Sequence, residues 1–193
     1  PPFEKIKVEH YVPAFKYAIN EQKKVIKKIV DNKEEPTFEN TILALEESGE
    51  RLSIISNIFY NILSANTNDN LQKAAQEISP MLSRASDEIY LNDKLFEKVE
   101  KVYQNRGKLG AEEKRLTEVY YDAFIKSGAK LTLEQKERIK KINEKLSLLN
   151  LKFGDNLLAE TNNFMLVIDK KEDLEGLPEG VIQAAAETAK RKG

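Results

Sequence analysis

The chain has 193 residues, of which 40% are hydrophobic and 33% are charged, and its formal net charge is −1. This balance argues against a disordered chain, a membrane-embedded chain, and a nucleic-acid binder that relies on a large basic surface. The chain has one histidine and no cysteine. This composition also excludes thiol catalysis, Cys-ligated zinc and any site that takes two imidazoles from this chain. Composition therefore predicts a soluble, helix-rich domain without a nucleic-acid or membrane partner. The compartment stays open between cytoplasm and periplasm, since an absence of cysteine fits both.

The first quarter of the chain predicts two helices separated by a break. Pro13 suits the first turn of a helix whose apolar residues recur at helical spacing as far as Val30. Pro36 follows two glutamates and ends this pattern. Thr37 is the expected cap of the second helix, and Gly49 is either its stop or a hinge within it.

The segment 52–68 has no charged residue over 17 positions, although one residue in three of the chain is charged. It predicts a helix with an apolar stripe and a second stripe that is polar yet uncharged, and its polar content excludes a membrane span. A helix side in bulk water usually carries Lys and Glu. We therefore favour a core helix whose polar groups meet neighbouring helices, and the alternative is a surface presented to a peptide or a second domain. The polar stripe comprises Ser53, Ser56, Asn57, Tyr60, Asn61 and Ser64.

The next segment imitates a calcium-binding loop, with oxygen-bearing side chains from Asn66 onward and Glu77 at the twelfth position. The first position is Asn, and Leu71 stands at the sixth position, where the sharp turn of such a loop requires glycine. The pattern therefore favours a turn followed by a capped helix over a metal site.

Helical spacing continues through the following hundred residues. It predicts a helix over 71–89 with a kink at Pro80, a short helix over 95–102 capped by Asn92, and a helix over 112–126. Thr132 and Gln135 form a capping box, and the long helix that they start is expected to end at about Glu160.

We expect the long helix to pair with the helix over 112–126 in a hairpin spanning about 112–160. A short apolar run near 164–168 predicts one strand, and a last helix is expected over 181–191. The predicted fold is thus all-α, an irregular multi-helix bundle with this hairpin and a lone strand that lacks a partner in the chain. The seam of the hairpin would comprise Ile139, Ile142, Leu146, Leu149, Phe153 and Leu157.

The sequence offers little that could carry chemistry. Glu9, His10 and Tyr11 are the only local cluster of reactive type, and they are interpreted as the entry turn of a helix. The chain has no G-x-G-x-x-G motif, no Walker loop and no G-x-S-x-G motif. We therefore predict no catalytic residue and no metal ligand in this chain, and we assign no substrate-binding residue.

Six strings in collinear order carry a resemblance that spans essentially the whole chain. Together they resemble the N-terminal region of bacterial peptidyl-dipeptidases, which belong to the thimet oligopeptidase family of HExxH zinc metallopeptidases. The strings at 36–50 and 87–99 favour the peptidyl-dipeptidase branch over oligopeptidase A. The strings are FEKIKVEHYVPAF (3–15), PTFENTILALEESGE (36–50), NIFYNILSANTNDNLQ (57–72), DEIYLNDKLFEKV (87–99), SGAKL (127–131) and NFMLVIDKKEDLEGLPEGVIQAAAETAK (163–190).

The resemblance implies a large helical enzyme in which a deep channel separates two halves, and which releases dipeptides from the C-terminus of short peptides. Its zinc is implied to sit on the two histidines of HExxH and a later glutamate, all in the C-terminal half. This chain has only His10 and no HExxH, so residues 1–193 are expected to be the N-terminal helical domain without the catalytic half.

Under this interpretation the parent protein is a zinc peptidase, and the 193 residues alone bind no zinc and have no activity. Its expected partners are the C-terminal half of the same polypeptide and, for the whole enzyme, short peptides. The alternative is a free-standing helical protein-interaction module without enzymatic activity.

Overall fold

The computed structural model describes residues 1–192, and within that range the chain is helical with no strand. The all-α prediction is therefore confirmed. Short 3-10 turns lie at Phe3–Lys5, Arg106–Lys108 and Lys171–Leu174, and a π-helical turn lies at Phe38–Leu43. The α-helices are α1 (Val8–Asp31), α2 (Ala44–Ser48), α3 (Glu50–Ala65), α4 (Asp69–Tyr90), α5 (Asp93–Gln104), α6 (Ala111–Ser127), α7 (Leu133–Asn163) and α8 (Glu179–Lys192).

The chain divides into two compact units, Pro1–Phe153 and Gly154–Gly193. The first unit contains all the buried residues of the described chain. The second contains the end of α7 and the whole of α8, in which no residue is buried.

Helix α1 begins earlier than predicted. It starts at Val8, so that Pro13 lies inside the helix rather than in its first turn. The first turn is held by His10, whose Nδ1 accepts a hydrogen bond from the backbone N–H of Lys7 across 3.2 Å. This contact satisfies a backbone donor ahead of the helix, which explains why the helix extends upstream of the proline.

The predicted helix caps are confirmed by their hydrogen bonds. Thr37 Oγ1 accepts from the backbone N–H of Asn40 across 3.2 Å, and Asn92 Oδ1 accepts from that of Leu95 across 3.0 Å. At the start of α7, Thr132 Oγ1 accepts from the N–H of Gln135 across 3.3 Å, and the Gln135 side chain accepts from the N–H of Thr132 across 2.9 Å. Such caps depend only on residues within one helical turn, which is why the sequence reveals them.

Gly49 joins α2 to α3 without a reversal of the chain. Its φ of −89° and ψ of −10° lie in the right-handed region, and its carbonyl accepts from the N–H of Ser53 across 2.9 Å, as in a continuing helix. A Cβ at this position would lie 3.3 Å from Nε2 of Gln22 on α1. Glycine is therefore favoured here because the helices approach closely, and Gly49 is a joint rather than a stop.

Two apolar clusters stabilise the first unit. In one, the end of α1 and the π-helical turn pack with α5 and α6, around the fully buried Ile42, Leu95, Val99 and Phe124. In the other, the start of α1 packs with α3 and α4 around Phe59, whose ring lies edge-on to those of Tyr11 at 4.9 Å and Phe15 at 5.6 Å. Helix α4 continues through the buried Pro80 without a break.

Helix α7 contacts α4 through polar side chains. Asn143 Nδ2 donates to Asp87 Oδ1 across 2.7 Å, and Glu144 forms an ion pair with Arg84 at 2.6 Å. At the first turn of α7, Lys136 is only 4% exposed; its ammonium pairs with the Asp93 carboxylate and donates to the carbonyl of Leu91 across 3.3 Å. The face of α7 that meets the rest of the unit is thus mainly polar, and Leu151 adds an apolar contact with the second cluster.

The predicted hairpin seam between α6 and α7 is wrong. Intervals of three and four residues place side chains on one face of a helix, but they do not say whether that face is turned inward. Here the inward direction is set by the hydrogen bonds to α4, and Val119 on the α6 side is itself 45% exposed. Five of the six seam residues are at least half exposed, namely Ile142, Leu146, Leu149, Phe153 and Leu157.

The predicted strand at 164–168 is also wrong. Its residues have no regular secondary structure, and their exposed fractions range from 39% at Ile168 to 76% at Phe164. A strand requires a partner for its backbone hydrogen bonds. Within residues 1–192 no other segment supplies a partner strand, so this run forms no strand despite its strand-forming composition.

Candidate functional site

Most of the polar stripe of α3 lies at the surface, while Ser56 and Tyr60 are half-buried. Phe59 is the only buried residue of the helix, whereas Ser53, Asn57, Asn61 and Ser64 are exposed, and the apolar Ile54 beside them is 52% exposed. The interpretation of α3 as a core helix covered on several sides is therefore wrong. The helix instead presents a surface without charge, which we call the α3 face and define as Ser53, Ile54, Asn57, Asn61 and Ser64.

Part of the α3 face is held in place by its own backbone. Asn61 Nδ2 donates to the carbonyl of Asn57 across 2.7 Å, and Ser64 Oγ donates to that of Asn61 across 3.1 Å. Such bonds satisfy polar side chains without a neighbouring helix. They explain how an uncharged polar stripe remains stable in contact with water.

A groove of about 500 Å³ lies between α3, α4 and the part of α7 that belongs to the first unit. Every residue that lines it is uncharged, and four of them are serines. This groove was not predicted from the sequence, although the spacing of the α4 serines by four and three residues marks one helix face. Its polar lining is Tyr60 from α3, Ser79, Ser83 and Ser86 from α4, and Ser147 and Asn150 from α7.

The lining of the groove offers hydrogen-bonding groups but no pair of residues suited to bond cleavage. A serine nucleophile needs an adjacent base, and no histidine or carboxylate lines the groove. Burial raises the pKa of the Tyr60 hydroxyl, so this group stays protonated at neutral pH and can donate a hydrogen bond. Hydroxyl and amide groups of this kind can bind neutral polar groups such as those of a peptide backbone.

The residues that were considered for chemistry form no reactive site. Tyr11 is 5% exposed and packs in the apolar cluster, while His10 is exposed and bound to the backbone of Lys7. The interpretation of this cluster as a helix entry is confirmed. The calcium-like segment is likewise a turn and a cap, because Asn68 Oδ1 accepts from the N–H groups of Asn70 and Leu71 across 3.1 Å each.

The residues of this chain do not fit a zinc site. Across positions 1–192, no three histidine, cysteine or acidic side chains are grouped so that they could hold a metal ion. The single histidine has its Nδ1 engaged by the backbone N–H of Lys7. No step that involves a metal is therefore assigned to residues of this chain.

No helix among the described residues is both long enough and apolar enough to cross a membrane. Even α3, which carries no charge after Arg51, has 16 residues and is shorter than the roughly 20 residues that a spanning helix needs.

No family model matches the chain, but it is similar over its whole length to known peptidases. It is 38% identical over 195 residues to the dipeptidyl carboxypeptidases of Escherichia coli (strain K12) and Salmonella typhimurium, and it covers 29% of each. It is 30% identical over 197 residues to oligopeptidase A of Haemophilus influenzae, of which it covers 28%. The chain thus spans less than a third of the length of these relatives. It corresponds to their N-terminal part, and it belongs to the thimet oligopeptidase family.

Proposed function

We propose that the chain is the N-terminal, non-catalytic helical domain, residues 1–193, of a zinc peptidyl-dipeptidase that hydrolyses oligopeptides. The observation that carries this proposal is the 38% identity to dipeptidyl carboxypeptidases over all of this chain and 29% of theirs. The catalytic machinery would then lie in a C-terminal part that follows this chain, and that part would be its principal partner.

The proposed role of the domain is to form one wall of the channel through which peptides reach the catalytic part. The α3 face and the groove beside it support this role, because both offer hydroxyl and amide groups without a fixed charge. A wall of this kind can bind a peptide backbone, which is common to all substrates, without selecting for charged side chains. A rigid helical rim would also exclude folded proteins by their size.

The test begins with the coding sequence and continues with the full-length protein. A reading frame that continues beyond residue 193 to an HExxH motif is expected, and one that ends without it would favour a free-standing interaction module. The purified full-length protein is expected to release dipeptides from the C-terminus of short peptides. A chelator should abolish this activity, and added zinc should restore it.

The matched control is a full-length variant in which the glutamate of HExxH is replaced by glutamine, which should retain zinc and lose activity. The 193-residue chain is expected to show neither zinc uptake nor dipeptide release. Zinc-dependent release by the short chain, or a folded full-length protein without peptidase activity, would contradict the proposal.

A further inference from the structure

Four exposed apolar residues of α7 within the first unit form a continuous stripe. Ile142, Leu146 and Leu149 are each 50% exposed, and Phe153 is 71% exposed. Their spacing of four, three and four residues places them on one side of the helix. A surface helix normally buries such a stripe and exposes its polar residues. In α7 the polar residues meet α4 instead, so this stripe is left without a partner in the unit.

A row of cations borders the apolar stripe. Successive residues of a helix are rotated by about 100°, and this rotation places the row of cations on the side of the stripe that is turned away from α4. All its members are exposed, and none takes part in an ion pair with another residue of the described chain. The row comprises Arg138, Lys141, Lys145 and Lys152. We call the stripe of Ile142, Leu146, Leu149 and Phe153, together with this row, the α7 surface.

We propose that the α7 surface docks an apolar face with an acidic border in the C-terminal part of the same polypeptide. This inference rests on the proposed function, under which the polypeptide continues beyond residue 193. Burial of four large apolar side chains would supply the affinity, and the cations would select the acidic border and fix the orientation. Covalent attachment raises the effective concentration of this partner well above that of a separate protein.

The charges argue against a second copy of the chain as the occupant. A symmetric dimer uses the same surface on both copies. The α7 surface of a second copy would bring four more cations, and in the part of α7 that belongs to the first unit only Glu134 is a carboxylate in line with them. A contact of this kind would leave most of the basic row unneutralised, whereas an acidic border would pair with it.

The first test measures thiol labelling in the full-length protein at Leu146→Cys and, as a second position on the same surface, at Phe153→Cys. The matched control is Val119→Cys on α6, where the native side chain is 45% exposed, close to the 50% of Leu146. Peptide mapping by mass spectrometry locates each label. Because this chain has no cysteine of its own, any label found within it marks the introduced residue. Labelling at the two α7 positions is expected to be at least about tenfold slower than at the control. Equal rates would overturn the proposal.

The second test identifies the occupant with a carbodiimide, which joins an amine to a carboxylate that is in direct contact with it. Lys145 and Lys152 are expected to cross-link to acidic residues beyond position 193 of the same molecule. A mixture of isotopically light and heavy protein separates this result from cross-links between copies, which would overturn the proposal. Dipeptide release by the same preparation tests the proposed function separately. An active protein with an unprotected α7 surface would refute the docking alone, and a protected surface in an inactive protein would refute the function alone.

Discussion

Asn143 on α7 donates a hydrogen bond from Nδ2 to Oδ1 of Asp87 on α4 across 2.7 Å. Asp87 is only 8% exposed, and this burial raises the pKa of its carboxyl group. The hydrogen bond from Asn143 and the charge of Lys140 oppose the rise without cancelling it. The contact that fixes which side of α7 faces inward therefore carries a partly desolvated charge at neutral pH.

Replacement of this carboxyl by an amide is expected to stabilise the protein. In Asp87→Asn the amide oxygen can still accept from Asn143, while the buried charge is gone. Because the folded pKa of Asp87 lies above its unfolded value of 3.8, wild-type stability falls as the pH rises through the folded pKa. We expect a gain of about 0.5–1 kcal/mol at pH 7.5 that disappears below pH about 3.8, measured by urea unfolding at both pH values. The control is Asp122→Asn, at an exposed position of α6. A gain in stability of Asp87→Asn that persisted at low pH would contradict the prediction.

Gly128, which ends α6, should not tolerate a side chain. Its φ of 103° lies in the left-handed region, and an added Cβ would lie 2.6 Å from Cδ1 of Leu131. Gly128→Ala is expected to lower the free energy of unfolding by about 1–3 kcal/mol. The control is Gly107→Ala, where φ is not positive and no atom lies within 4 Å of the new Cβ. Similar losses in denaturant unfolding of the two variants would contradict this explanation.

Phe59 is expected to be the residue of α3 on which stability depends most. It is fully buried among Tyr11, Phe15 and Tyr60, so its truncation leaves a cavity lined by aromatic rings. Phe59→Ala should cost about 3–5 kcal/mol in the free energy of unfolding, measured by thermal or denaturant unfolding. Ile54→Ala on the same helix should cost under about 1 kcal/mol, because half of that side chain is already in water. A loss as large at Ile54 would mean that the α3 face is covered.

A charge placed on the α3 face should change substrate preference if this face lines the channel. In the full-length enzyme, Asn57→Glu is expected to raise KM several-fold for acidic peptides and to leave KM for neutral peptides unchanged, because like charges repel. The effect should weaken as salt is added. Asn20→Glu introduces the same charge at an exposed position on α1 and should change neither value. If the two variants had identical kinetics with acidic and neutral peptides, the α3 face would not line the channel.

The helix caps, unlike the start of α1, could be predicted from the sequence because they depend on neighbouring residues. Thr37, Asn92 and Thr132 each accept a hydrogen bond from a backbone group three residues away. Such short-range chemistry leaves a clear sequence pattern. The break before Pro36 was predicted for the same reason.

The orientation of the helices could not be predicted in this way. Periodicity shows that Leu146 and Leu149 share a face of α7, but the inward direction depends on Asp87, which is distant in sequence. The absence of charge over residues 52–68 was interpreted as burial, although polar side chains such as Asn61, which donates to its own helix, can also face water. The groove was missed because its serines meet only after α3, α4 and α7 pack together.

The two exposed surfaces of the first unit differ in how solution conditions affect them. Between Leu52 and Asn68 the only titratable side chain is Tyr60, and burial moves its pKa further above the neutral range. Binding to the α3 face or the groove would therefore vary little with pH or ionic strength. The cations of α7 are screened within about 10 Å at 0.1 M salt. Ionic strength is thus a means to weaken contacts at one surface of this domain while those at the other persist.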